Sequence, residues 1–157
     1  MTNDPHNTEE SKASPKAKAL SARLSAVQAS YQLRHNPQPI ANLLDEYLRH
    51  RSDMIIEGEP IVQPDGVLLK KILYGTEERR AELETVIDAN LKRDATDRDV
   101  ESLLRAILLC GSYELLVQEV DAPIVINDYL NIGHAFYDRN EVALINGVLD
   151  SIAKAFR

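Results

Sequence analysis

The apolar residues of this chain return every three or four positions, and that period limits the fold more than any other feature of the sequence. Leu20, Leu24, Val27 and Tyr31 step by four, three and four, which sets them on one face of a helix. The spacing predicts a helix from about Lys16 to Asn36-Pro37, because the residue before a proline avoids the α region. A second helix carries Ile40, Leu43, Leu44, Tyr47 and Leu48, with Pro39 at its first turn. Residues 50–64, interrupted by Gly58, Pro60 and Pro64, read as a loop. Asp65 is then a fitting N-cap. Leu69, Ile72 and Leu73, followed by Leu83, Val86, Ile87 and Leu91, read either as one long helix that bends near Gly75, the favoured reading, or as two helices that meet there.

The next helix is expected to be capped by Thr96 or Asp97 and to run through Leu103, Leu104, Ile107, Leu108, Gly111 and Leu115. It is apolar on most sides, so it is expected to be the most buried. Pro123 opens another, with Ile126, Tyr129, Leu130, Gly133 and Phe136 turned inward. Residues 138–140 read as a turn, and the final helix carries Val142, Ile145, Val148, Leu149 and Ile152. No stretch alternates as a strand does. The expectation is an all-α fold, a compact bundle of six to seven helices spanning residues 16–157. Residues 1–15 hold almost nothing apolar and read as a disordered polar N-terminal tail.

Little in the sequence offers catalysis. His6, His35, His50 and His134 include no pair at the i, i+4 spacing of a helical metal site. The single cysteine, Cys110, stands among Leu108, Leu109 and Gly111 and reads as a small hydrophobe. One cysteine permits no internal disulfide, which fits a reducing cytoplasm. No apolar run reaches the length needed to span a bilayer, and the N-terminus lacks the apolar core of a secretory signal. The glycines form no phosphate loop, and the carboxylates are expected to lie scattered over exposed faces. No catalytic residue, metal or cofactor is therefore expected, and the reading is a protein that binds partners. The net charge of −7 argues mildly against tight nucleic-acid binding by the chain alone.

The C-terminal third is the most informative. It reads LLRAILLCGSYELL (103–116), DAPIVINDYLNIGHAFY (121–137) and NEVALINGVLD (140–150), and the first helix carries SAVQASYQL (25–33). Four ordered blocks of this kind resemble the NusB family of transcription antitermination factors, over roughly two-thirds of the chain. Read physically, these blocks supply caps and packing. Gly147 is expected to admit a close helix, Asn146 to bond a neighbouring loop, and Asp128 to sit in a helix's first turns, where the dipole favours an acid.

The resemblance implies two packed subdomains of three or four helices, and binding to single-stranded boxA-type leader RNA together with the ribosomal protein NusE. The pair would join an elongating RNA polymerase and act on ribosomal RNA operons. Carried over position by position, the RNA-binding residues would be Lys16, Lys18, Arg23, Gln28, Tyr31, Arg105, Asn140 and Leu144. The chain departs from the family at three of the relevant places. The arginine-rich start of helix one is reduced to Arg23, Leu144 stands where an aromatic is usual, and Leu109 stands where a basic residue is common. Lys12, Lys16 and Lys18 just upstream are candidates to substitute for the arginines, and Lys70, Lys71, Arg79, Arg80 and Arg105 are candidates for compensation. An alternative is a NusB-like paralogue that keeps protein–protein binding, to NusE or to itself as a homodimer, with weak or no RNA binding.

Overall fold

The computed structural model describes residues 14–49, 55–56, 59–60, 62–93 and 101–156. Seven helices occur among the described residues: α1 (Pro15–His35), α2 (Ile40–Arg49), α3 (Gly66–Glu78), α4 (Arg80–Arg93), α5 (Ser102–Val117), α6 (Ala122–Phe136) and α7 (Arg139–Phe156). Between α2 and α3, Ile55–Ile56 (β1) pairs antiparallel with Glu59–Pro60 (β2). This two-rung ladder lies within the stretch expected to be only a loop.

The local chemistry of the helix starts is simple. Ser14 accepts a bond from the Ala17 amide at 3.0 Å, with Pro15 as the first helical residue. Asp65 accepts from the Leu68 amide at 3.1 Å, as its position before the apolar run predicted. The helix containing Leu103 begins at Ser102, and its cap is Glu101, whose carboxylate accepts from the Leu103 amide at 2.6 Å. Thr96 and Asp97, expected to cap it, lie outside the described residues, as do residues 1–13 of the polar tail.

The expected long helix across Gly75 is two helices, and the break is at Arg79, not at Gly75. Arg79 has φ −105° and ψ 18°, outside helical geometry, while its amide still bonds the Gly75 carbonyl at 3.1 Å. Gly75 stays helical and serves packing: the ring of Tyr113 lies where a Cβ would be.

Helix α5 occupies the centre, touching α1, α3, α4, α6 and α7. Helices α1–α3 pack together on one side of it, and α4, α6 and α7 on the other. Ten consecutive residues, from Ala106 to Leu115, are buried, so the most apolar helix is indeed the innermost. Leu24, Leu43, Leu69, Ile72, Leu73, Leu83, Ile87, Ile107, Leu108 and Leu115 belong to one continuous core. Each contributes about 1.5–3 kcal/mol by leaving water. A Cβ at Gly111 would stand 3.0 Å from Leu149 of α7 and one at Gly133 2.7 Å from Ile145, so the close helix approaches occur at these two glycines. Gly147, expected to provide one, is half-buried. Phe136, expected inside, is 38% exposed. The turn before the last helix ends earlier than expected, with Arg139 and Asn140 already helical.

Candidate partner and RNA interface

The residues proposed from sequence to touch RNA separate into four groups. Arg23 and Leu144 are interior. Arg23 is 2% exposed, and its Nε and Nη2 donate to the two carboxylate oxygens of Glu114 at 2.7 and 2.8 Å. Nη1 donates to Asp128 at 2.9 Å, and the Tyr129 hydroxyl donates to Glu114 at 2.7 Å. The cluster ties α1, α5 and α6 together in the buried interior. Burial works to lower the Arg23 pKa, but the bond and charge of Glu114 outweigh it, and the guanidinium is held more firmly protonated than usual. Burial pushes the Asp128 carboxyl up, and Arg23 pulls it partly back. The expectation that carboxylates sit only on exposed faces therefore fails at Glu114 and Asp128. Asp128 balances Arg23 and does not serve the helix dipole. No surface contact with RNA is left to Arg23, and Leu144, 7% exposed, packs in the core.

Arg105 is the second group. Its guanidinium is 3.1 Å from Asp88 and 3.8 Å from Glu84, and Glu84 also takes Arg34 at 3.2 Å. The cations named as compensation are mostly matched as well. Arg79 pairs with Glu82 at 2.8 Å, Arg80 with Glu77 at 3.1 Å, and Lys71 with Glu119.

The third group comprises exposed polar residues. Among the described residues, Lys16, Lys18, Lys70 and Arg139 have no carboxylate within ion-pair distance. Lys16 and Lys18 are exposed at the start of α1, and Asn140 is exposed at the start of α7.

The fourth group shares a groove. Gln28 and Tyr31 line a cavity of about 380 Å³ with Gln32, His35, Asn36, Tyr47, Leu103 and Phe136. On α1 the four positions 28, 31, 32 and 35 have the i, i+3, i+4, i+7 spacing of one face. The Tyr31 and His35 rings are 4.5 Å apart between centroids, tilted by 55°. Tyr31 and Phe136 are each 38% exposed, and the Tyr47 hydroxyl donates to Gln32 at 3.1 Å. Among the described residues no lysine or arginine lines this groove. It offers aromatic area and side-chain amides. Lys18 and Tyr31 are 13 residues apart on a helix, about 20 Å, so the cationic end of α1 and the groove form two separate places.

The sequence missed Phe136, His35 and Leu103 as lining residues. The signal for Phe136 was its position as the last residue of a helix, where an aromatic has no further turn to pack beneath. Cys110 is fully buried, and burial raises its thiol pKa, so no reactive thiolate forms there. Among the described residues no group of three His, Cys, Asp or Glu is placed to hold a metal. No described helix is long and apolar enough to cross a membrane.

Comparison with known proteins agrees with this architecture. The model of the NusB family matches residues 20–154. A relative from Nitrobacter hamburgensis, the transcription antitermination protein NusB, is 34% identical over 137 residues, 87% of this chain and 86% of its own length. The protein of that name from Novosphingobium aromaticivorans is 34% identical over 145 residues, 92% of this chain and 97% of its own. Two solved structures share the fold at 20% identity. T. maritima NusB has a TM-score of 0.68 and covers 90% of this chain and 92% of its own. NusB from a complex of the antitermination factors NusB and NusE with double-stranded RNA has a TM-score of 0.69 and covers 87% and 96%. The four sequence blocks, the helical order and these matches lead to one conclusion: the chain belongs to the NusB family.

Proposed function

We propose that this chain is a transcription antitermination factor that binds boxA-type single-stranded leader RNA together with NusE and acts on the RNA polymerase elongation complex, notably on ribosomal RNA operons. It works in the cytoplasm as a binding protein without catalytic activity. The observation that carries this reading, beside family membership, is the open groove of Gln28, Tyr31, His35, Leu103 and Phe136. Tyrosine and phenylalanine at the centre of an uncharged depression make the kind of anchor that dominates protein interfaces. A site for a nucleic-acid backbone would carry cations along its walls. The groove is therefore assigned to NusE. RNA phosphates are assigned to Lys16 and Lys18, with Asn140 offering an amide to the same strand.

This division predicts how the two partners act together. Among the described residues most cations already meet the chain's own carboxylates, so these release few counterions when the chain meets RNA alone. Affinity for RNA then depends on surface supplied jointly with NusE. The test is binding of labelled boxA-type RNA with and without NusE over a salt series. Binding that tightens with NusE and weakens with salt supports the reading. Firm NusE binding with no RNA response at any salt would replace it by the paralogue that binds protein only.

A further inference from the structure

A second groove lies between the first half of α6 and the second half of α7, with a cavity of about 350 Å³. Asn127 on its wall and Phe136 on the first groove are nine residues apart, two and a half helical turns, so the two grooves open on opposite sides of α6. The floor is apolar, formed by Pro123, Ile126 and Leu130, and the polar lining is Asn127, Asn146 and Asp150. These three polar residues come from the VIND and INGVLD blocks, where capping and packing were the expected roles. The structure gives them neither. All three are exposed, and among the described residues neither asparagine makes a side-chain hydrogen bond.

The charge of the groove has one sign. Among the described residues, Asp150 is the only ionisable side chain that lines it. Asp121, exposed at the start of α6, makes no capping bond and adds a second carboxylate at that end. Asp150 does meet Lys154 at 3.0 Å, but that pair sits in solvent, 51% and 78% exposed, and is readily exchanged for another cation. The N-terminal stretch of this chain, with Asp4, Glu9 and Glu10 against Lys12, has the wrong sign to fill the groove. A second copy, at net −7, is repelled in the same way.

We propose that the α6–α7 groove docks an extended, basic segment of a protein partner. An apolar side chain of that segment lies on Ile126 and Leu130. Its main chain pairs with the side-chain amides of Asn127 and Asn146, each of which offers both a donor and an acceptor. A lysine or arginine of the segment meets Asp150. The site is separate from the groove assigned to NusE, so the two are occupied independently.

The test uses the full chain and a short synthetic peptide of alternating leucine and lysine, followed by the side-chain amide resonances of Asn127 and Asn146 in nitrogen–proton correlation spectra. Both resonances are expected to shift and saturate together. A counterpart of alternating leucine and glutamate is expected to leave them unmoved. Asp150→Lys, an exposed position whose change leaves the thermal midpoint in place, should weaken the leucine–lysine peptide about tenfold. The double variant Asn127→Ala with Asn146→Ala should weaken it to a similar degree. Shifts centred on Tyr31, unchanged affinity in both variants, or equal shifts with oligouridylate RNA would each overturn the proposal, the last by making the groove an RNA site.

Discussion

The middle of α1 and its C-terminal end, two turns apart, meet the rest of the molecule in opposite ways. At the middle, Arg23 is closed off by α5 and α6, and every nitrogen of its guanidinium has a carboxylate partner. At the end, Tyr31 and His35 face a depression that no other described helix fills, with Phe136 also on its wall. The first region holds three helices in register and leaves nothing for a ligand. The second adds little to the fold and leaves about 380 Å³ of shaped, partly apolar space open. A buried ion is tolerable only where all its bonds are made, because removing one partner strands the other in low dielectric. Exposed aromatics carry no such obligation, so their cost is small and their use lies in a partner. Charge on a helix therefore marks an interface only where the fold has not already consumed it.

Three experiments separate these two regions and a fourth probes the cationic start of α1, in order of expected effect. Arg23→Met strands Glu114 and Asp128 together in the core and should cost about 3–5 kcal/mol of stability, read by urea unfolding. Lost RNA affinity with unchanged stability would break the comparison, since Arg23 would then be a ligand contact. The double change Tyr31→Ala with Phe136→Ala should do the reverse. Affinity for NusE should fall by about 2 kcal/mol or more, roughly thirtyfold, measured by calorimetry, with unfolding nearly unaltered.

Asp128→Asn sharpens the account of the buried cluster. Burial raises the Asp128 pKa above its ordinary value, so the folded state holds that proton more tightly than the unfolded chain does. The stability this contributes is present below the ordinary carboxylate pKa of about 3.9 and is lost as pH rises through the raised value. The amide keeps an acceptor for Arg23 and carries no charge. The variant should therefore lie within about 1 kcal/mol of the parent and gain on it as pH rises from that range to neutral, followed by denaturant midpoints across pH. A variant that instead loses ground as pH rises would show the Arg23 attraction outweighing burial. The smallest effect belongs to Lys16→Gln with Lys18→Gln. The slope of log affinity for RNA against log salt should become shallower by about 0.7 for each lysine that neutralises a phosphate, with folding untouched.

Much of the architecture was legible because it is local. The stop at Asn36-Pro37, the Asp65 cap, the opening of α6 by Pro123 and the stripe Val142, Ile145, Val148, Leu149 and Ile152 depend on neighbours within one or two turns. The break at Arg79 was not legible, because Gly75 looked like the weaker link and only the Tyr113 ring across from it shows why the helix continues there. The candidate site was legible in part. Gln28 and Tyr31 line the groove, whereas Arg23, Arg105 and Leu144 were carried over by position and are occupied elsewhere. Two ion pairs decide this, Arg23–Glu114 and Arg105–Asp88, and each joins residues from different helices.

The sequence by itself determined that this chain is helical, where most helices begin and end, which one is innermost, and the family it belongs to. All of these follow from apolar spacing, caps and short ordered blocks. Only the tertiary structure decided which charges are spent inside the molecule, which aromatics remain uncovered, and that Asn127, Asn146 and Asp150 share one groove. The physical reason is distance along the chain. Burial and charge pairing are settled between residues tens of positions apart, and helical periodicity carries no record of which faces finally meet.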